Sequence, residues 1–84
     1  MKCFLRLPAV CDRTGKPKST VYREIGEGLL PPAVRISERS SAWPDDEIDA
    51  VNRARLQGRT DSEIKALVFG LVSARPSSAA RDAA

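Results

Sequence analysis

A mainly α domain with a small β-hairpin is the fold class that this 84-residue sequence predicts, and three observations carry it. Two short amphipathic segments, about Pro8 to Arg13 and Pro17 or Lys18 to about Glu27, flank a turn at Thr14-Gly15. A Pro31-Pro32 break precedes two short apolar stretches that surround a polar tip, Ser37-Glu38-Arg39-Ser40. Ile64, Leu67, Val68, Leu71 and Val72 then recur at i, i+3, i+4, i+7 and i+8. The expected arrangement is a winged helix-turn-helix over 1–58, a C-terminal amphipathic helix over 59–74 and a disordered tail over 75–84.

The first helix gains from Pro8 in its first turn, where the missing N–H would have no partner anyway. Leu7, Val10 and Cys11 form its inward stripe, and Gly15 accepts the left-handed geometry that ends it. In the second helix Val21, Ile25 and then Leu29 share one side and are expected to pack on the first, with Gly28 as the stop. Pro31-Pro32 cannot continue a helix. Ala33-Val34-Arg35-Ile36 alternates as a strand, and Ser41-Ala42-Trp43 is placed to return antiparallel to it. Trp43, the only tryptophan, is expected as a core anchor beneath this hairpin.

Pro44-Asp45-Asp46-Glu47 opens a third helix with three acids at its electropositive end, which explains them better than a metal or catalytic cluster does. Ile48, Val51 and Leu56 are expected to face inward, with Ala50 and Ala54 allowing close packing and Gly58 ending the helix. Thr60-Asp61-Ser62-Glu63 has the form of a capping box for a fourth helix. The apolar stripe of that helix closes the core or, less simply, meets a neighbouring protomer; Phe69 lies off it.

Charge is unevenly placed. The net value is +3, yet residues 1–39 carry eight basic and four acidic side chains, while residues 40–57 carry two and four. The positive share therefore falls on the first two helices and the hairpin, as a phosphate-facing surface requires. The chain has no histidine and only Cys3 and Cys11, so no metal site and no disulfide framework are expected, and Cys11 reads as a small core residue. No nucleophile elbow or phosphate loop is present, so neither catalytic residues nor a cofactor are assigned. No apolar run approaches the length of a membrane span, and the expected location is cytoplasmic, associated with the nucleoid.

At 100° per residue, the side of the second helix opposite Val21 and Ile25 centres on Ser19 and Arg23, with Thr20 close by and Lys18 and Tyr22 flanking it. Short hydroxyls permit close approach to a nucleic-acid backbone, and an arginine reaches a guanine edge or a phosphate. With Lys16 in the turn, and Arg39 at the hairpin tip with Arg35 beside it, these residues form a candidate surface for double-stranded DNA.

Leu7-Pro8-Ala9-Val10, Thr14-Gly15, Ser19-Thr20-Val21-Tyr22-Arg23, Gly28, Leu30-Pro31, Val34-Arg35 and Trp43 ahead of Asp46-Glu47 together resemble the AlpA-like family. These are prophage-type regulators and excisionase-like proteins with a MerR-like winged helix, and the resemblance covers roughly residues 4–56. It implies a DNA-binding protein of a mobile element, acting as a recombination directionality factor, a transcription regulator or both. Self-association on tandem sites, and an integrase or RNA polymerase as partner, follow from the same resemblance. It puts DNA contact on Ser19, Thr20, Tyr22 and Arg23 and around Arg39. The turn departs from the pattern: Lys16 and Pro17 stand where the family usually has an apolar residue and a serine cap. Loss of that apolar plug is expected to loosen the turn, while Lys16 and Lys18 add phosphate-binding charge. An alternative is an antirepressor-like interaction module that binds another regulator through the Ile64–Val72 stripe.

Overall fold

The computed structural model describes residues 3–75. In chain order the elements are β1 (Phe4–Leu5), α1 (Leu7–Thr14), α2 (Lys18–Glu27), β2 (Val34–Ser37), β3 (Ser40–Pro44), α3 (Asp45–Leu56) and α4 (Asp61–Ser73). Four helices thus pack with a three-stranded antiparallel sheet of order β1-β3-β2.

The two tight helix ends fall where glycine was expected. Gly15, at φ 70°, turns the chain after α1 and donates its N–H to the Cys11 carbonyl; Gly28, at φ 83°, does the same after α2 with Glu24 and Ile25. A side chain at either position would strain the left-handed backbone. Three residues separate α1 from α2, so the apolar sides of both helices must meet. Val10 and Val21 are completely buried, with Ile25, Leu7 and Cys11 packed at the edge of the same cluster. Arg13 Nη1 donates to Asp49 at 2.9 Å and Asn52 Nδ2 donates to the Arg13 carbonyl at 3.0 Å, fastening the end of α1 to α3.

The strand β1 was not anticipated. Two residues are too few to show an alternation, and Phe4-Leu5 acquire strand geometry only by pairing with Pro44 and Trp43 of β3. Reciprocal bonds extend that pairing: Cys3 N donates to Asp45 Oδ1 at 3.0 Å and Asp45 N donates to the Cys3 carbonyl at 2.8 Å. Trp43 lies in the core at 3% exposure, as expected, and its indole Nε1 donates to the Pro31 carbonyl at 2.9 Å.

In α3 the inward residues are Glu47, Ile48, Val51 and Ala54. Leu56, expected among them, is 89% exposed. Five positions beyond Val51 it has rotated about 140° away from the buried side. Ala54 and half-buried Arg55 occupy the inner edge at that end.

The capping box of α4 forms as read: Glu63 N donates to Thr60 Oγ1 at 3.2 Å and Thr60 N donates to Glu63 Oε1 at 2.9 Å. Ile64 and Val68 are buried and Leu67, Leu71 and Val72 pack on the same cluster, so the stripe of α4 closes the core. Phe69, off that stripe, is 76% exposed. Of the tail expected over 75–84, Arg75 is described and residues 76–84 lie outside the described residues.

Replacing Ile64 with alanine empties a site at the centre of this cluster. Urea unfolding of I64A is expected to show a loss of about 2–5 kcal/mol, whereas a helix docked only loosely on a finished core would lose far less. The Cys3 N–H bond holds the Asp45 carboxyl below its ordinary value of 3.8, despite partial burial, which pushes the other way. The stabilising contribution of Asp45 is then present above about pH 4 and disappears as pH falls through the lowered folded value. Comparison of urea midpoints between pH 6 and pH 2 is expected to show D45N less stable at the upper end and converging with the wild type at the lower end.

Candidate nucleic-acid interface

Helix α2 divides cleanly into two sides. Val21 and Glu24 are buried, Ile25 is half-buried, and Lys18, Ser19, Tyr22 and Arg23 are exposed. Thr20 is half-buried at the edge between the two sides. The hydroxyl of Ser19 and the guanidinium of Arg23 therefore share an outward face one turn long, propped from below by Val21 on Val10. Arg23 Nε sits 3.9 Å from Glu27 Oε2 across one turn, an exposed contact of little energetic weight that leaves the guanidinium accessible.

The hairpin β2–β3 follows α2 in the chain. Val34 pairs with Ala42 and Arg35 with Ser41, and the register then shifts so that Ser37 pairs with Ser40. Such an irregularity increases the local twist. Arg35 and Arg39 are both exposed, and Arg35 Nη1 donates to the Glu38 carbonyl at 3.2 Å, which holds its head toward the tip. Tyr22, 53% exposed, bounds an open depression of about 550 Å³ between α2, the Leu7-Pro8 start of α1 and Ala33, Ser41 and Trp43 at the hairpin root. Tyr22 is the α2 residue that lines this depression, and Arg6 lines it as well.

Lys16 differs from its neighbours. Its Nζ donates to Glu24 Oε1 at 2.6 Å, and the two side chains are 27% and 10% exposed. The turn that lacks its apolar plug is instead closed by an ion pair reaching across it. Arg55 Nη2 approaches the other Glu24 oxygen at 4.0 Å, and Arg55 Nη1 donates to Asp61 Oδ1 at 3.4 Å. A chain of charges thus runs from the α1–α2 turn through α2 to α3 and the start of α4. Glu24 and Arg55 were not singled out from the sequence. The signal existed for Glu24: three positions after Val21 it shares the inward side of α2, where a carboxylate needs a partner.

Among the described residues no group of histidine, cysteine, aspartate or glutamate side chains is placed to hold a metal ion. No helix there is long and apolar enough to cross a membrane.

Comparison with known proteins bears on this surface. The sequence profile described as "Prophage CP4-57 regulatory protein (AlpA)" matches residues 3–56. The chain belongs to the AlpA prophage regulatory family. The span matched takes in β1 through the last residue of α3, and with it all of α2 and the hairpin. This AlpA-family chain is also 38% identical over 56 residues to "Uncharacterized protein ORF88" of Enterobacteria phage P4, covering 67% of this chain and 64%, just under two thirds, of that protein. No solved structure is significantly similar.

The Lys16–Glu24 contact makes a measurable distinction between holding the fold and holding a ligand. Lys16→Ala is expected to lower stability by roughly 1–3 kcal/mol, less than for a fully buried pair because Lys16 remains in partial contact with water. A double-mutant cycle with Glu24→Gln, read by urea unfolding, is expected to show coupling between the two positions.

Proposed function

We propose that this protein is a sequence-specific double-stranded DNA-binding regulator of a mobile element, built as a winged helix-turn-helix. Helix α2 enters the major groove and the β2–β3 hairpin acts as the wing, reaching adjacent backbone or minor groove. The observation that carries this reading is the orientation of α2: Ser19 and Arg23 are exposed while Val21 on the same helix is completely buried, and Arg35 and Arg39 of the hairpin are exposed as well. In this reading Arg23 contributes base discrimination, and Ser19, Thr20 and Tyr22 fit the helix to the groove. Lys18, Arg35 and Arg39 neutralise phosphates. Lys16 acts at one remove, through the turn it closes.

A module of this size covers limited DNA, so useful specificity calls for several copies on tandem or palindromic sites. Two roles use the same binding. As an excisionase-like recombination directionality factor the protein would occupy repeats in attachment-site DNA, bend it and position an integrase. As a transcription regulator it would recruit or block RNA polymerase at a promoter. A footprint at an attachment site favours the first, and one at a promoter the second. Both roles place the protein in the cytoplasm, on the nucleoid. The antirepressor-like alternative draws less support, because the Ile64–Val72 stripe it needs packs on the core, Ile64 and Val68 buried and Leu67, Leu71 and Val72 partly so, while Phe69 is exposed.

Selection of bound duplexes followed by gel shifts tests the proposal. Against the selected site, Arg23→Ala is expected to cost about 1–3 kcal/mol and to relax specificity at one or two base positions. Lys18→Ala is expected to weaken binding to all duplexes alike and to reduce the salt slope by about 1. If neither substitution changes affinity, α2 is not the contacting helix.

A further inference from the structure

Arg75 follows α4 and lies beyond residue 56, where the match to the family ends. Its side chain nevertheless returns to the centre of the molecule. Nε donates to Glu47 Oε2 at 3.0 Å and Nη2 to Glu47 Oε1 at 2.5 Å, a two-pronged contact with a carboxylate that is only 5% exposed as a residue. Nη2 also donates to the Pro32 carbonyl at 2.8 Å. The preceding carbonyl, that of Pro31, is held by the Trp43 indole. Two consecutive carbonyls at the exit from α2 are therefore each fixed by a side-chain donor, shortly before β2 begins at Val34.

The two strands of the hairpin are not anchored alike. Ala42, Trp43 and Pro44 of β3 are buried, and β3 pairs on both edges. β2 is an edge strand: Arg35, Ile36 and Ser37 are exposed and it pairs with β3 alone. Beyond that ladder, β2 is held at its root, by the bonds to Pro31 and Pro32 and by Ala33 packed against the core. A planar guanidinium can satisfy both carboxylate oxygens and a carbonyl at once, which a lysine ammonium on a flexible stem does much less well.

We infer that Arg75 is the positioning residue of the wing: α4 with Arg75 forms a strap that runs from Glu47 at the start of α3 to the Pro32 carbonyl and fixes the angle at which β2 leaves the core. The consequence for DNA rests on the function proposed above; the strap itself does not. With the root released, Arg35 and Arg39 lose their fixed placement relative to α2, and the wing contributes less to binding although its side chains are intact.

Backbone hydrogen exchange on the full chain tests this without DNA. Two variants are compared with the wild type: Arg75→Lys, and the double substitution Arg75→Ala with Glu47→Gln, which leaves no orphaned buried charge. In both, amides of the β2–β3 ladder are expected to exchange about tenfold faster, while amides of α1, α2 and α3 stay within about twofold. Unchanged exchange in the ladder overturns the inference, and so does acceleration shared equally by the helices, which would make the contact a general stabiliser. On a selected duplex, Arg39→Ala is expected to cost severalfold less affinity in the Arg75→Lys background than in the wild type, and equal costs in both also overturn it. A wild type that binds no duplex removes the function proposed above, and the exchange pattern then decides the strap by itself.

Discussion

Trp43 is the residue on which the several parts of this small fold converge. Its ring is nearly completely buried in the cluster formed by all four helices, its backbone pairs with Leu5, and its indole N–H ends on the Pro31 carbonyl. One side chain thus ties the sheet, the segment leaving α2 and the start of α3. In a chain of this length little apolar surface is available to bury, so each large side chain has to serve more than one interface. Without that hydrogen bond the indole would carry an unsatisfied donor in the interior.

Around that anchor the charged residues sort into two groups with different work. Glu24 and Glu47 are both buried, and each lies at a seam: Glu24 between the α1–α2 turn and the end of α3, Glu47 between the start of α3 and the end of α4. Lys16, Arg55 and Arg75 answer them from within the fold. Lys18, Arg23, Arg35 and Arg39 stay outside, on α2 and the hairpin. A net charge of +3 does not show this arrangement, because it counts the paired groups within the fold and the cations outside it alike.

Local chemistry was legible in the sequence wherever it is decided by residues a few positions apart. The glycines that end α1 and α2, the proline start of α1, the capping box of α4 and the Ile64–Val72 stripe all came from short-range rules, and the structure has each of them. The exposed side of α2 followed from the same helical arithmetic. What escaped is what depends on distant partners. Phe4-Leu5 form a strand because β3 is there to receive them. Leu56 was put inside because apolar residues were counted without their angle, although that angle was available from Ile48 and Val51. Glu47 was read as helix-start electrostatics, which it satisfies, but its burial depends on an arginine 28 positions later. The redirection of Lys16 from solvent to Glu24 needed the turn to be built before it could be seen.

The contact between Arg75 and Glu47 spans the end of the region shared with other AlpA relatives: its carboxylate belongs to the common part and its guanidinium to the stretch that follows. The two parts are therefore not interchangeable modules. A hybrid that joined this common part to another relative's ending would inherit an interior anion with no cation to meet it, unless the donor brought one to the same place or position 47 became neutral in the same step. Exchange of endings is constrained here to paired changes.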